Sequence, residues 1–283
     1  MSTKAARANP WDDAAGPTRT TTPSDGHVER LRRAELEVLQ SHFKPGLRVL
    51  EIGGGSGFQA AIIDSWGCSV TSIDIPGRSW PRSFFPVSFY DGEHVPAPDD
   101  SFDIVFSSNV LEHVMRLPEL LAETRRVVQA GGVSIHVMPT SSWRLWTSIA
   151  HYVHYVRRVF QRVTGAVARR ALAEQPGGEA PGTTERPPIW TVLRRVLLPA
   201  PHGEYPSAGA ELYYFSKRRW LRVFAKNGFE VEEVIDGELF YTGRCLAPGL
   251  SHRVRRRLAR ILAPSTRAFV LRATRRESHE GTR

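Results

Sequence analysis

The segment Leu50-Glu51-Ile52-Gly53-Gly54-Gly55-Ser56-Gly57 constrains this chain more than any other stretch. A short apolar run, Leu47–Ile52, leads into it, and residues 57–66 beyond it read as a helix. An unbroken apolar run suits a strand buried on both faces of a parallel sheet. Four glycines within the five positions 53–57 allow a sharp turn and a close backbone approach to a ligand, because no Cβ stands in the way. Strand, glycine turn and helix together open an α/β unit, with a ligand expected at the carboxyl end of the strand.

The spacing narrows the ligand. Gly53, Gly55 and Gly57 form G-x-G-x-G. A dinucleotide turn wants a third small residue three places after the second glycine, and here that place holds Phe58. The turn also lacks fixed cations for a pyrophosphate. It therefore suits a nucleoside without phosphates better than a nicotinamide dinucleotide. Asp74 ends a second apolar run, Ser69–Ile75, about twenty residues after the glycines, where a carboxylate can accept both hydroxyls of a ribose.

The remaining pattern extends the alternation. Val28, Leu31, Leu36, Leu39 and Phe43 predict a helix over 28–43. Phe84–Tyr90, Phe102–Ser107 and Val133–Met138 read as strands, and Pro118–Gln129 as a helix. Residues 140–212 interrupt this rhythm with a helix around Trp143–Val163, a Pro/Gly-rich linker at 174–188 and a second helix near 189–198. The rhythm resumes with a helix over Ser216–Asn227, with Ser216 as its cap and Gly228 as its stop. Phe229–Ile235 and Leu239–Arg244 read as a strand pair around the turn signal Asp236-Gly237, and Arg253–Arg276 as an Arg-rich helix. The expected architecture is α/β: a doubly wound, mostly parallel, seven-stranded sheet with a helical insertion after the fifth strand. The expected division is a disordered leader at 1–26, a domain at 27–250 interrupted at 140–212, and a basic helical tail at 251–283.

Charge and cysteine content exclude several classes. The net charge of +9 is uneven: residues 141–200 hold nine Arg and three Glu, and residues 244–283 hold eleven Arg and two Glu. The basicity thus lies outside the predicted core. Two cysteines, Cys68 and Cys245, argue against a disulfide framework and fit a reducing cytoplasm. No apolar run reaches the roughly 18 residues of a membrane span. His202, Glu204 and Glu211 lack tight ligand spacing, so no metal site is expected.

Val49–Gly57, Ser72–Asp74, Asp99–Val114 (DDSFDIVFSSNVLEHV) and Arg126–Pro139 (RVVQAGGVSIHVMP) together resemble the class I S-adenosylmethionine-dependent methyltransferases, specifically the small-molecule, glycan and lipid methylators. The resemblance covers about 28–139 and, more loosely, 213–245. It departs at Gln129-Ala130, where family members usually carry Lys-Pro. It implies S-adenosyl-L-methionine as cofactor. By the same resemblance Glu51 holds the methionine ammonium, and Gly53, Gly55 and Gly57 line methionine and ribose. Asp74 takes the ribose hydroxyls and Ile75 packs on the adenine. Asp91, with Gly92 beside it, lies near the adenine amino group, and Asn109 lies by the methionine portion. His113 stands where the family often places an acceptor-side residue, and its ordinary pKa near 6.5 suits a base. Glu112 reads as a first-turn carboxylate favoured by the helix dipole. His202, Glu204 and Tyr205, where the insertion returns, are acceptor-side candidates.

The leading expectation is methyl transfer to a small or lipid-linked acceptor such as a sugar or glycolipid hydroxyl. The basic, aromatic segments 143–163 and 253–276 suit peripheral contact with an anionic membrane, which would place the protein at its cytoplasmic face. Competing readings are an RNA or protein methyltransferase, and a non-catalytic cofactor-binding module. No RNA-binding module is recognisable, so nucleic acid is not the expected partner.

Overall fold

The computed structural model describes residues 25–77, 80, 82–173, 199, 201–243 and 249–274. Most of the leader, the linker at 174–188, the second insertion helix, Cys245 and the last nine residues lie outside this set. Helix α1 (Asp25–Glu37) and a 3₁₀ turn (Gln40–His42) precede β1 (Arg48–Ile52), α2 (Phe58–Ser65) and β2 (Ser69–Asp74). Then come β3 (Ser88–Phe89), β4 (Phe102–Ser108), a 3₁₀ turn (Leu111–His113), α3 (Leu117–Val127) and β5 (Val128–Pro139). Helix α4 (Ser141–Ala173) begins the insertion, and α5 (Ala208–Tyr214) ends it. The chain closes with α6 (Lys217–Lys226), β6 (Phe229–Asp236), α7 (His252–Leu262) and β7 (Thr266–Ala273).

The seven strands form one sheet in the order β3-β2-β1-β4-β5-β7-β6. β1 to β5 run parallel, and β7 is antiparallel to both β5 and β6. The carboxyl ends of β1, β2, β3 and β4 therefore share one edge, where the glycine turn, Asp74, Asp91-Gly92 and Asn109 lie. Apolar side chains cover both faces. Leu36, Leu39, Ile62 and Ile63 pack on one face, and Leu120, Leu121, Trp220 and Phe224 on the other. Burying each such side chain contributes on the order of 1.5–3 kcal/mol. Ser216 caps α6 as expected, its Oγ accepting from Arg219 N at 3.3 Å.

Three local readings are corrected. Asp236-Gly237 is not a hairpin turn: after β6 the chain runs through α7 and returns as β7, which wedges between β5 and β6. The segment 253–276 is accordingly a helix to Leu262 and then a buried strand, broken at Ala263-Pro264. The run Ala268-Phe269-Val270-Leu271 is at most 4% exposed, and over so short a span a buried strand and a helix face look alike in sequence. The fold therefore extends past 250, and β7 is unavailable for the membrane contact expected of 253–276. Finally, β3 shrinks to two residues at the sheet edge, because Pro86 cannot donate to a ladder.

Candidate active site

The glycine turn is pinned to β2. Gly53 N and Gly54 N both donate to Ile73 O, at 2.8 and 3.1 Å. Gly55 N donates to Asp74 Oδ2 at 2.8 Å, and Ile75 N to Asp74 Oδ1 at 2.7 Å. The turn thus spends these N–H groups on its own scaffold. What it presents is a floor without side chains, beside a carboxylate held by both oxygens and keeping lone pairs for further donors. Gly57 caps α2 with φ +74°, and a Cβ there would lie 2.6 Å from Phe85 O, so only glycine fits. Phe58 follows and packs edge-on against Phe84 at 5.2 Å.

Glu51, one residue before the end of β1, is 2% exposed, with Ser72 Oγ donating to its Oε2 at 2.6 Å. Burial pushes its pKa up to about 7, Asp74 adding to the rise and the Ser72 bond opposing it. A folded-state pKa above the unfolded 4.5 means that the folded protein keeps a proton the unfolded chain releases. Stability is therefore lost as pH rises from about 4.5 to about 7. Glu51→Gln is expected to stabilise the ligand-free protein by up to about 3 kcal/mol at pH 8, and hardly at all near pH 5. Thermal midpoints of both proteins across that range test this; a pH-independent difference would sink it.

Ile75 is 56% exposed directly after β2. Gly92 lies against it: a Cβ on Gly92 would come within 3.1 Å of Ile75 Cγ2. Asp91 accepts from the backbones of His94 and Glu93, each at 2.7 Å, and these bonds hold its pKa down at about 2. Asn109, past β4, takes a left-handed conformation (φ +56°) and donates to Ser108 Oγ at 3.1 Å. An exposed apolar platform, a bare turn and two differently placed carboxylates, Glu51 and Asp74, fit a nucleoside carrying an ammonium group.

The opposite wall comes from the insertion. Arg144 on α4 pairs with Glu211 on α5, Nε to Oε2 at 2.9 Å, both side chains at most 2% exposed. The other Glu211 oxygen, Oε1, accepts from His202 N and Gly203 N at 2.6 and 2.7 Å. This clamp carries His202 to His113, with ring centroids 4.9 Å apart, and sets it edge-on to Trp143 at 4.7 Å. Burial lowers the His202 pKa to about 3, with the charge of His113 second, so the ring is neutral. Glu204 N donates to Glu112 O at 3.2 Å. Tyr205 stacks on Tyr214 at 4.2 Å. Tyr205 and Glu204 line a cavity of about 530 Å³ with Glu112, Val114, Arg219 and Val223.

Glu112 corrects the sequence reading. It sits in a 3₁₀ turn, not in the first turn of an α-helix, and it is 1% exposed. Burial pushes its pKa up to about 8. Trp80 and the Arg144–Glu211 pair were not singled out in the sequence. The Trp80 ring stands over the glycine turn, 3.1 Å from where a Cβ on Gly55 would be. No local pattern marks these residues, since their partners are remote in the chain.

A seven-stranded sheet of this order, with a glycine turn after β1 and an acidic residue ending β2, defines the class I methyltransferase fold. The methyltransferase-domain family model matches residues 25–234. The chain belongs to the class I S-adenosylmethionine-dependent methyltransferases, whose cofactor is S-adenosyl-L-methionine. The ubiquinone/menaquinone biosynthesis C-methyltransferase UbiE of Cupriavidus pinatubonensis is 32% identical over 167 residues, which cover 53% of this chain and 67% of that protein. The malonyl-acyl-carrier-protein O-methyltransferase of Serratia marcescens is 38% identical over 94 residues, 31% of this chain and 37% of that protein. The first of the curated relatives, the biotin biosynthesis bifunctional protein BioHC of Cellvibrio japonicus, is spanned over 24% of its length. Among solved structures, a chain of the Haloferax volcanii complex between the Trm112 methyltransferase activator and a methyltransferase shares the fold. Its TM-score is 0.51 at 14% identity, covering 90% of this chain and 95% of that one.

Proposed function

We propose that this chain transfers the methyl group of S-adenosyl-L-methionine to a small or lipid-linked acceptor, with a sugar or glycolipid hydroxyl as the receiving group. The bound cofactor supplies an electrophilic methyl on a sulfonium, so the protein must align the acceptor and dispose of one proton. In this reading Glu51 holds the ammonium, and Gly53, Gly55 and Gly57 floor the methionine and ribose. Asp74 accepts from the ribose hydroxyls, and Ile75 and Gly92 frame the adenine beside Asp91. Asn109 borders the methionine portion. His113, with its side chain 41% exposed, faces the acceptor as the proton-accepting group, and His202, Glu204 and Tyr205 form the acceptor wall.

The observation carrying the lipid-linked reading is a stripe on α4. Leu145, Ile149, Tyr152, Val153, Val156 and Phe160 are all exposed, Val156 and Phe160 at 69% and 68%. Their spacing puts them on one helix face. The stripe begins two residues beyond Trp143, which touches His202. An exposed apolar row of this kind suits a membrane surface or an apolar ligand chain. The tryptophans themselves turn inward: Trp143 is 6% exposed, and Trp146 Nε1 donates to Leu262 O at 3.1 Å. No helix among the described residues is long and apolar enough to cross a membrane. The contact we propose is peripheral, at the cytoplasmic face.

Cell extract incubated with the protein and methyl-labelled cofactor tests the reading. Label is expected in the organic-solvent fraction or in small glycans. Label confined to RNA or protein overturns the acceptor assignment. Cofactor binding without label anywhere would identify a non-catalytic binding module.

A further inference from the structure

We infer that Glu112, His113 and His202 form a binding site for one divalent transition-metal ion, of the Zn²⁺ type, with a coordination position left open on the acceptor side.

One donor atom from each of these residues lies within 4.8 Å of the other two. Ligands around a single zinc ion lie about 2.0–2.2 Å from it, hence roughly 3–3.5 Å apart, so a small inward shift closes the set. His113 Nε2 and Glu112 Oε1 already stand 3.8 Å apart, too far for a hydrogen bond.

An independent observation concerns Glu112 alone. Its side chain is 0% exposed, and apart from its own backbone N–H nearby, neither carboxylate oxygen has a hydrogen-bond partner in another described residue. A buried carboxyl group with no partner in another residue is costly in either protonation state. Arg32 acts on it electrostatically, but the Arg32 guanidinium is bonded to Glu35 at 2.8 Å. Packing explains the ring contacts of His202 with His113 and Trp143; it leaves both Glu112 oxygens unexplained.

The scaffold is rigid where a metal site needs it. Glu211 fixes the His202-Gly203 backbone, and a Cβ on Gly203 would lie 2.5 Å from Glu112 O. Only glycine lets the two segments approach this closely. Two imidazoles and one carboxylate suit Zn²⁺ and its transition-metal neighbours, whereas Mg²⁺ and Ca²⁺ take oxygen ligands. Three protein ligands with an open fourth position is the pattern of catalytic rather than structural zinc. The half-exposed His113 leaves that position toward the acceptor.

The role of the ion rests on the methyltransferase reading; its binding does not. An acceptor hydroxyl on the ion would lose its proton to water more readily. Its oxygen pair would then form the bond to the methyl carbon, while the carbon–sulfur bond breaks with its pair going to sulfur. No electron is exchanged with the ion. With the ion bound, His113 is a ligand and no longer the base.

The test uses the full chain, stripped with EDTA and titrated with Co²⁺ as a visible probe and then with Zn²⁺. One equivalent of Co²⁺ is expected, with a ligand-field absorption that Zn²⁺ displaces. His113→Ala, on a half-exposed side chain, and Glu112→Gln, which preserves shape, should each weaken binding at least about tenfold. Circular dichroism confirms that each variant is folded. No equimolar uptake by the wild type, or uptake unchanged in both folded variants, overturns the site. Cofactor binding measured in EDTA separates the two readings: its absence overturns the methyltransferase reading, whereas cofactor binding without Co²⁺ uptake overturns only the metal site.

Discussion

Glu211→Ala is expected to lower the thermal midpoint by on the order of 10 °C and to release the loop that carries His202. Three bonds converge on this carboxylate: the ion pair with Arg144 and the N–H groups of His202 and Gly203. Truncation leaves a guanidinium that is 2% exposed without its anion. Removing one partner of a buried pair costs about 3–5 kcal/mol, chiefly because the survivor stays buried and charged. Glu211→Gln keeps an oxygen for the two N–H groups but drops the charge, so the loop should hold while part of the stability is lost. Differential scanning calorimetry reads the first effect, and hydrogen exchange over 201–207 reads the second. A midpoint within about two degrees of wild type would show that the clamp does not hold the insertion to the core.

Asp74→Ala should weaken S-adenosyl-L-methionine binding by about a hundredfold or more while leaving the protein folded. Hydrogen bonds to a charged acceptor are each worth about 1.5–3 kcal/mol, and the ribose offers two hydroxyls. Losing about 3 kcal/mol corresponds to more than two decades in Kd. The variant also leaves Gly55 N without its acceptor, which loosens the glycine turn from β2. Asp74→Asn keeps one oxygen acceptor and should fall between the two. Titration calorimetry in EDTA measures all three proteins without interference from a bound metal. An Asp74→Ala affinity within threefold of wild type would remove the residue from the cofactor site.

Much of the cofactor side was legible because its signals are local. The glycines of 53–57, the strand end at Asp74 and the Ser216 cap each depend on neighbours a few residues away. The structure places them as read, and the N–H groups of Gly53 and Gly54 bind the backbone of β2. The C-terminal region was misread where local rules tie. Asp236-Gly237 favours a hairpin, and the Arg-rich run after 253 favours a helix. The choice falls to sheet completion, because the apolar run at 268–271 is buried only by entering between β5 and β6.

The acceptor side was least legible, for a related reason. His113 precedes the insertion and His202 lies near its far end, and nothing in their own surroundings pairs them. Glu112 looks like an ordinary helix-entry carboxylate until the 202–205 loop closes over it. The sequence by itself determined the α/β alternation, the glycine turn and the acidic residue after it, since backbone conformation and periodicity are short-range properties. Only the tertiary structure decided the strand order at the C-terminal edge, the burial of Glu112 and the meeting of His113 with His202. Burial and proximity between remote segments arise when the sheet and the Arg144–Glu211 clamp assemble, and no local spacing encodes them.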